Sequence, residues 1–301
     1  MKLATTTKDF DGFFDTYNEK IECICEAGFK YIDLGMSVIK EDDELFVSEN
    51  WRDNAKALLE DTEKKGAKFL QAHAPGGNPL NEDLALAEAQ LNKIIRAVDI
   101  CGVMGIPNVV VHTGRGKGMG KEENFEKNKE FFKKVFPAME RNNVNVLCEN
   151  STVVNMKDIY FPNSGSDLKE LVEYIDHPFF RACWDIGHAN CEGSQYDELT
   201  AIGSDLYALH INDNFGASDS HWLPYFGTVN LDEIMNALID IGYKGCFTFE
   251  AYAQLRPTKL RRTFEKDTRL YDSLLFMKKK VEKLMYEMGE HILKQYNCFE
   301  R

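Results

Sequence analysis

Six apolar runs in this chain each end on a side chain that can bind a metal ion or move a proton. The runs are 68–73 (KFLQAH), 108–112 (NVVVH), 145–149 (NVLCE), 181–185 (RACWD), 206–210 (LYALH) and 245–250 (GCFTFE). Their last residues are His73, His112, Glu149, Asp185, His210 and Glu250. Successive ends lie roughly 25 to 40 residues apart, the length of a βα unit, and strand ends in a closed barrel converge on one point. Imidazoles and carboxylates gathered there describe a divalent-metal site.

Glu149, Asp185, His210 and Glu250 come first. One acid at a strand end more often caps the strand or pairs with a cation. Four ligands at the same place in consecutive units point instead to one metal centre, and carboxylates with an imidazole suit Mn²⁺, Zn²⁺, Co²⁺ or Mg²⁺ rather than a soft metal. His73 and His112 belong to the same layer and are expected to be further ligands or substrate contacts. His188 follows Asp185 by three residues in CWDIGHAN, where Gly187 allows the chain to turn. Asp219 and His221 form a D-x-H pair that would complete another metal site with His188; alone, the pair reads equally as a polar turn.

The elements that must position these residues alternate. Strand-like runs at 2–6, 31–36, 68–74, 108–112, 145–149, 181–186, 206–211 and 245–250 are separated by helical patterns at 10–27, 53–65, 84–104, 123–141, from 166, 231–241 and finally 268–295. The runs are apolar throughout rather than alternating, as in parallel strands covered on both faces. Eight such runs predict a (β/α)₈ TIM barrel occupying residues 1–301 as a single domain. An open doubly wound sheet is disfavoured because no GxGxxG follows the first strand.

A chain of 301 residues suffices for one such barrel, and its net charge of −13 weighs against a nucleic-acid partner. The start has no apolar core of a signal peptide, and no run reaches membrane-spanning length. Eight scattered cysteines without a CxxC pair read as reduced core thiols, so a cytoplasmic location is expected.

EAGFKYIDL (26–34), QAHAPGG (71–77), VVHTG (110–114), LCENS (147–151), CWDIGHAN (183–190), LHIND (209–213) and the stretch 218–250 together resemble the xylose-isomerase-like barrels. These include sugar epimerases and isomerases and the endonuclease IV type of apurinic-site nuclease. The resemblance implies that Glu149, Asp185, His210 and Glu250 hold one metal ion in the epimerase branch. In the nuclease branch it implies three zinc ions, held by those four with His73, His112, His188, Asp219 and His221. All nine residues are present, so the ligand set leaves both branches open.

Other features favour the sugar branch. WLPYFGTVNLD after His221 resembles it, and Val229 departs from the G-x-G element of the nucleases. No basic, aromatic-interleaved recognition loop follows the early strands, and the loop 39–50 is acidic. The expected activity is isomerisation or epimerisation of a sugar or sugar phosphate through an enediolate. Glu149 and Glu250 would act as acid and base, and His188 would bond the oxygen that gains charge. Trp222 and Arg256 are expected substrate contacts; Trp184 is read as core. The second expectation is a multi-zinc phosphodiesterase acting on abasic DNA or another phosphoester. A sugar-binding barrel without activity ranks third, since both glutamates are intact. The glycine-rich segment 114–121 is either a lid or phosphate anchor, or a surface loop; it lacks the Ser or Thr of a Walker loop. An oligomer is open, because the helical segment after 263 can pack on its own barrel or on a partner.

Overall fold

The computed structural model describes residues 1–36, 39, 43–156, 159–256 and 269–300. The elements run β1 (Lys2–Thr6), α1 (Tyr17–Ala27), β2 (Tyr31–Gly35), α2 (Trp51–Lys64), β3 (Lys68–His73), α3 (Leu84–Met104), β4 (Asn108–Val111), α4 (Lys121–Phe132), α5 (Phe136–Asn142), β5 (Asn145–Glu149), α6 (Val153–Met156), α7 (Gly165–Ile175), β6 (Phe180–Asp185), α8 (Ile186–Asn190), α9 (Tyr196–Ile202), β7 (Leu206–His210), α10 (Leu231–Asp240), β8 (Cys246–Phe249) and α11 (Arg269–Gln295). The strands are parallel and ordered β7-β6-β5-β4-β3-β2-β1-β8. The last seam is narrow. Ile211 joins β7 to β8, donating from its N–H to Thr248 O (2.8 Å) and accepting from Glu250 N–H (3.0 Å). The result is the expected (β/α)₈ barrel, nearly closed by strand pairing and completed at that seam.

Burial follows from the strand composition. β4 and β8 have almost no exposed position, and Val110, Leu147, Cys183 and Ala208 form a small packed layer of their own. Side chains fill the barrel in layers, so most charged groups gather at its ends, while Asp33 lies buried within β2.

Three departures from the sequence pattern have local causes. The expected helix 10–27 is shorter, because Thr16 caps α1, its hydroxyl accepting from Glu19 N–H and donating to the Glu19 carboxylate. Residues Thr7–Phe10 instead make one tight turn after β1. The expected helix 123–141 breaks between Phe132 and Phe136, where Pro137 lacks the N–H that a continuous helix needs and opens α5 instead. The short helices α6, α8 and α9 carry too few residues for a periodic signal.

The long final helix packs on its own barrel. Tyr286 meets Phe29 edge to face at 5.2 Å, and Met285, Ile292 and Leu293 are buried. All eight cysteines are free. Among the described residues no helix is long and apolar enough to cross a membrane.

Gly28 ends α1 with φ +117°, and a Cβ there would sit 3.0 Å from the Tyr286 ring. Gly28→Ala therefore combines backbone strain with displacement of α11. It is expected to cost about 2 kcal/mol, read as a lower denaturation midpoint in urea.

Candidate functional site

Strand register sets the geometry of the mouth. Asp185 and His210 are direct partners across β6 and β7, and Glu149 pairs with Cys183, two residues before Asp185. His73 lies opposite Val110, so His112 stands two residues further along, on the same face. Glu250 follows β8 directly and is held at the closing seam by Ile211. All six strand-end residues converge at one end of the barrel.

At its centre, one ligand atom from each of Glu149, Asp185, His210 and Glu250 lies within 4.8 Å of the others. His210 Nδ1 is 2.5 Å from Glu149 Oε1, 3.5 Å from Glu250 Oε2 and 4.0 Å from Asp185 Oδ2. The other Glu149 oxygen faces His73 Nε2 at 3.2 Å and His112 Nε2 at 3.4 Å. A third group lies beside these: Asp219 Oδ2 is 3.3 Å from His188 Nε2 and 3.0 Å from His221 Nε2. All nine sequence-predicted ligands fall in such groups; the first two share Glu149, and the third, His188–Asp219–His221, shares no residue with them.

The imidazoles are oriented from behind. The Nδ1 atoms of His73, His188 and His221 each meet a backbone carbonyl, of Ala74 (2.8 Å), Asn150 (2.9 Å) and Glu250 (2.9 Å). Donating Nδ1–H there leaves the Nε2 lone pair facing the pocket, as a metal ligand requires. Asp185 is fixed as firmly. Asn212 Nδ2 donates to its Oδ2 (2.8 Å), His188 N–H donates to its Oδ1 (2.8 Å), and its own N–H donates to Asn150 Oδ1 (2.6 Å). Gly187 lets Asn212 approach, since a Cβ there would collide with the Asn212 amide.

Electrostatics divides the groups. Burial alone would raise Glu149, but His210 and His112 hold it well below the usual carboxylate range. Burial likewise opposes Glu250, and Lys8, His210 and His221 bring it down. Asp219 is lowered against burial by His188 and His221. Asp185 moves up, because burial outweighs its neighbours. His188 and His221 are raised against burial by the carboxylates around them, and His210 by Cys183 and then by Glu250 and Glu149. His112 is pushed down to about 3, with burial the main cause.

Several residues at the site escaped the sequence reading. Lys8, just past β1, places Nζ 2.6 Å from Glu250 Oε1 and 4.6 Å from the Tyr252 ring centre. Tyr252 stacks on His221 at 4.5 Å, and Tyr160 stacks on His112 at 4.2 Å. Asp33 on β2 and Gln71 on β3 lie behind His210. Neither Lys8, in the turn after β1, nor Asp33, in the middle of β2, stands at a strand end. The tyrosines come from loops without periodic signal.

The outer candidates are placed as follows. Trp222 is half-buried beside His221, against Phe215 at 5.3 Å. Trp184 is core, and its Nε1–H donates to Gln195 Oε1 (3.1 Å). Arg256 stands over Tyr252 (5.2 Å) and near Asp11 (3.9 Å) at the same rim as Lys8; the basic residues that follow it, and part of the acidic loop 39–50, lie outside the described residues. The glycine-rich segment is pinned rather than free: Asn128 and Asn124 accept from Gly114 and Gly116 N–H, both at 2.8 Å, and Lys121 pairs with Asp167 and Glu170.

Residues 22–280 match the xylose isomerase-like TIM barrel family. The chain is 46% identical over 102 residues to fructoselysine 3-epimerase of Escherichia coli O157:H7, a stretch that is 34% of each chain. It is 29% identical over 145 residues to a probable endonuclease 4 of Methanoculleus marisnigri, covering 45% of this chain and 47% of that one. Matches to curated relatives span 29% to 50% of those relatives' own length. In fold it is similar to D-psicose 3-epimerase with D-tagatose from Clostridium cellulolyticum H10, with a TM-score of 0.75 at 16% identity over 97% of this chain and 99% of that one. Fold and family match together establish that the chain belongs to the xylose isomerase-like TIM barrel family.

Proposed function

We propose that the protein is a divalent-cation-dependent epimerase or isomerase of a ketose or ketose phosphate, with Glu149 and Glu250 carrying the proton. The observation that supports this most directly is their convergence: both carboxylates are buried, held ionised, and face the same nitrogen of His210. The local identity to an epimerase, higher than that to the nuclease relative, points the same way.

The residues fit a cation. Three carboxylates and an imidazole offer hard and borderline donors, three further imidazoles present Nε2, and Asp219 Oδ1 is buried without a hydrogen-bond partner among the described residues. Glu149, Asp185, His210 and Glu250 would hold the ion; Mn²⁺, Co²⁺, Zn²⁺ and Mg²⁺ all suit them. A bound divalent cation supplies Lewis acidity, polarising a carbonyl and acidifying the C–H beside it.

The protein side of the reaction follows from position. Glu149 ends β5 and Glu250 follows β8, three strands further round the barrel, so they approach a bound sugar from separate directions. One takes the proton from the carbon beside the carbonyl and the other returns it, their roles exchanging with direction. Lys8 holds Glu250 through Oε1 and leaves Oε2 facing the pocket. His188 Nε2 donates to the substrate oxygen that gains charge. Tyr160, Tyr252 and Trp222 wall the mouth, with Arg256 at its rim.

A second reading has its own support. The His73–His112–Glu149 and His188–Asp219–His221 groups suit additional ions, as in multi-metal phosphoester hydrolysis. Incision of an abasic-site duplex by the metal-loaded protein at a rate rivalling sugar turnover would establish it over the first.

Two outcomes are expected. In D₂O with Mn²⁺ and a panel of ketoses and ketose phosphates, the protein incorporates deuterium at one carbon. Glu149→Gln and Glu250→Gln each slow this by about 10²–10⁴-fold, whereas undiminished exchange in both variants would remove the two-carboxylate mechanism. The second outcome concerns pH. His210 holds its proton above the ordinary histidine range, so a cation taken up at its Nδ1 must displace that proton. Affinity therefore rises with pH across neutrality, and calorimetry in buffers of different ionisation enthalpy reports protons released on binding. A pH-independent affinity without proton release would contradict this.

A further inference from the structure

His210 is turned the opposite way from the histidines around it. His73, His188 and His221 face the pocket with Nε2 and rest Nδ1 on a backbone carbonyl. His210 faces the pocket with Nδ1, and its Nε2 points down into the barrel, where no carbonyl meets it. Two side chains stand there instead. Gln71 Nε2 lies 2.9 Å away and Asp33 Oδ2 lies 3.5 Å away; Gln71 also donates to Asp33 Oδ2 at 2.7 Å.

Asp33 has no structural reason to be a carboxylate. It sits on β2, 1% exposed, between Thr6 of β1 and Gln71 of β3, and its Oδ1 is buried with no hydrogen-bond partner among the described residues. A buried acid so poorly satisfied destabilises a fold unless it serves another group. Among the described residues the imidazole it reaches is that of His210.

We infer that Asp33 is the positioning residue of the metal centre, accepting the Nε2–H of His210 and so reserving the Nδ1 lone pair for the cation. This rests on the reading of His210 as a metal ligand. An imidazole bound through Nδ1 keeps its proton on Nε2. Gln71 Nε2, 2.9 Å away, is a donor and bonds His210 Nε2 only while that nitrogen is unprotonated; with the proton on Nε2, the amide keeps its bond to Asp33 Oδ2 (2.7 Å) and Asp33 Oδ2 closes from 3.5 Å to receive the proton. The carboxylate replaces the backbone carbonyls used by the other three histidines, and it also makes the imidazole a stronger donor to the cation. Asp33 belongs to the EAGFKYIDL segment, which otherwise contributes nothing to the pocket.

The test is zinc affinity, measured by competition with a chromophoric chelator, in the wild type and in Asp33→Asn. The substitution keeps size and removes charge. A loss of about 10- to 100-fold in affinity is expected, with the cation-free melting temperature of the variant no lower than that of the wild type, since burying an amide costs less than burying the acid. A variant that binds zinc as tightly as the wild type overturns the role. Long-range ¹H–¹⁵N spectra of zinc-loaded wild-type protein labelled at histidine decide the matter even if the variant fails to fold. The His210 ring proton is expected on Nε2 and shifted downfield; a proton on Nδ1 overturns the inference. Neither measurement uses sugar turnover, so the inference survives failure of the epimerase assignment. A wild-type protein that binds no zinc refutes the cation site and this role together.

Discussion

Everything at the barrel mouth depends on holding four carboxylates in a space that excludes water. Glu149, Asp185 and Glu250 are at most 3% exposed, and Asp219 stands beside them. Desolvation and mutual repulsion would each push such acids toward protonation. The structure answers with cations and donors built into the scaffold: His210 against three of the acids, His188 and His221 against Asp219, Lys8 against Glu250, and Asn212 on Asp185. A metal ion would do the same task with more charge in less space. On the proposed reading the raised proton affinity of His210 stands in for that charge, and a cation bound at its Nδ1 would release the proton.

The barrel makes that arrangement affordable in structural terms. Each strand is fixed by neighbours on both sides, so a side chain at its end cannot retreat to solvent when its neighbours repel it. Register places Asp185 directly beside His210, and the seam at Ile211 sets Glu250 at the same level. The burden is carried by the apolar layer below and by helices outside, including α11, which packs on the same chain.

Much of this was legible in the sequence because the determinants are periodic. Apolar runs of constant length ending on His, Asp or Glu mark the strands, and D-x-H and DIGH fall in the loops that follow. What was not legible was local or contrary to pattern. Lys8 lies in the turn after β1 and Asp33 inside β2, each away from the strand-end positions where the other ligands recur. Tyr160 and Tyr252 reach the site from loops, and stacking on an imidazole leaves no mark on sequence spacing. The break at Pro137 was visible as a residue but masked by the apolar periodicity on both sides of it. The glycine-rich segment suggested freedom from its composition, whereas Asn124 and Asn128 remove that freedom through side-chain bonds to its backbone.

The surplus of ligands makes metal stoichiometry the sharpest test of the central claim, that one cation at Glu149, Asp185, His210 and Glu250 serves two proton-carrying glutamates. Equilibrium dialysis against Mn²⁺ and Zn²⁺, with metal counted per chain, measures it directly. One tightly held ion, lost on Asp185→Asn and retained on Asp219→Asn, is the predicted result. Three ions of comparable affinity, one of them lost on Asp219→Asn, would contradict it and turn the site toward phosphoester hydrolysis.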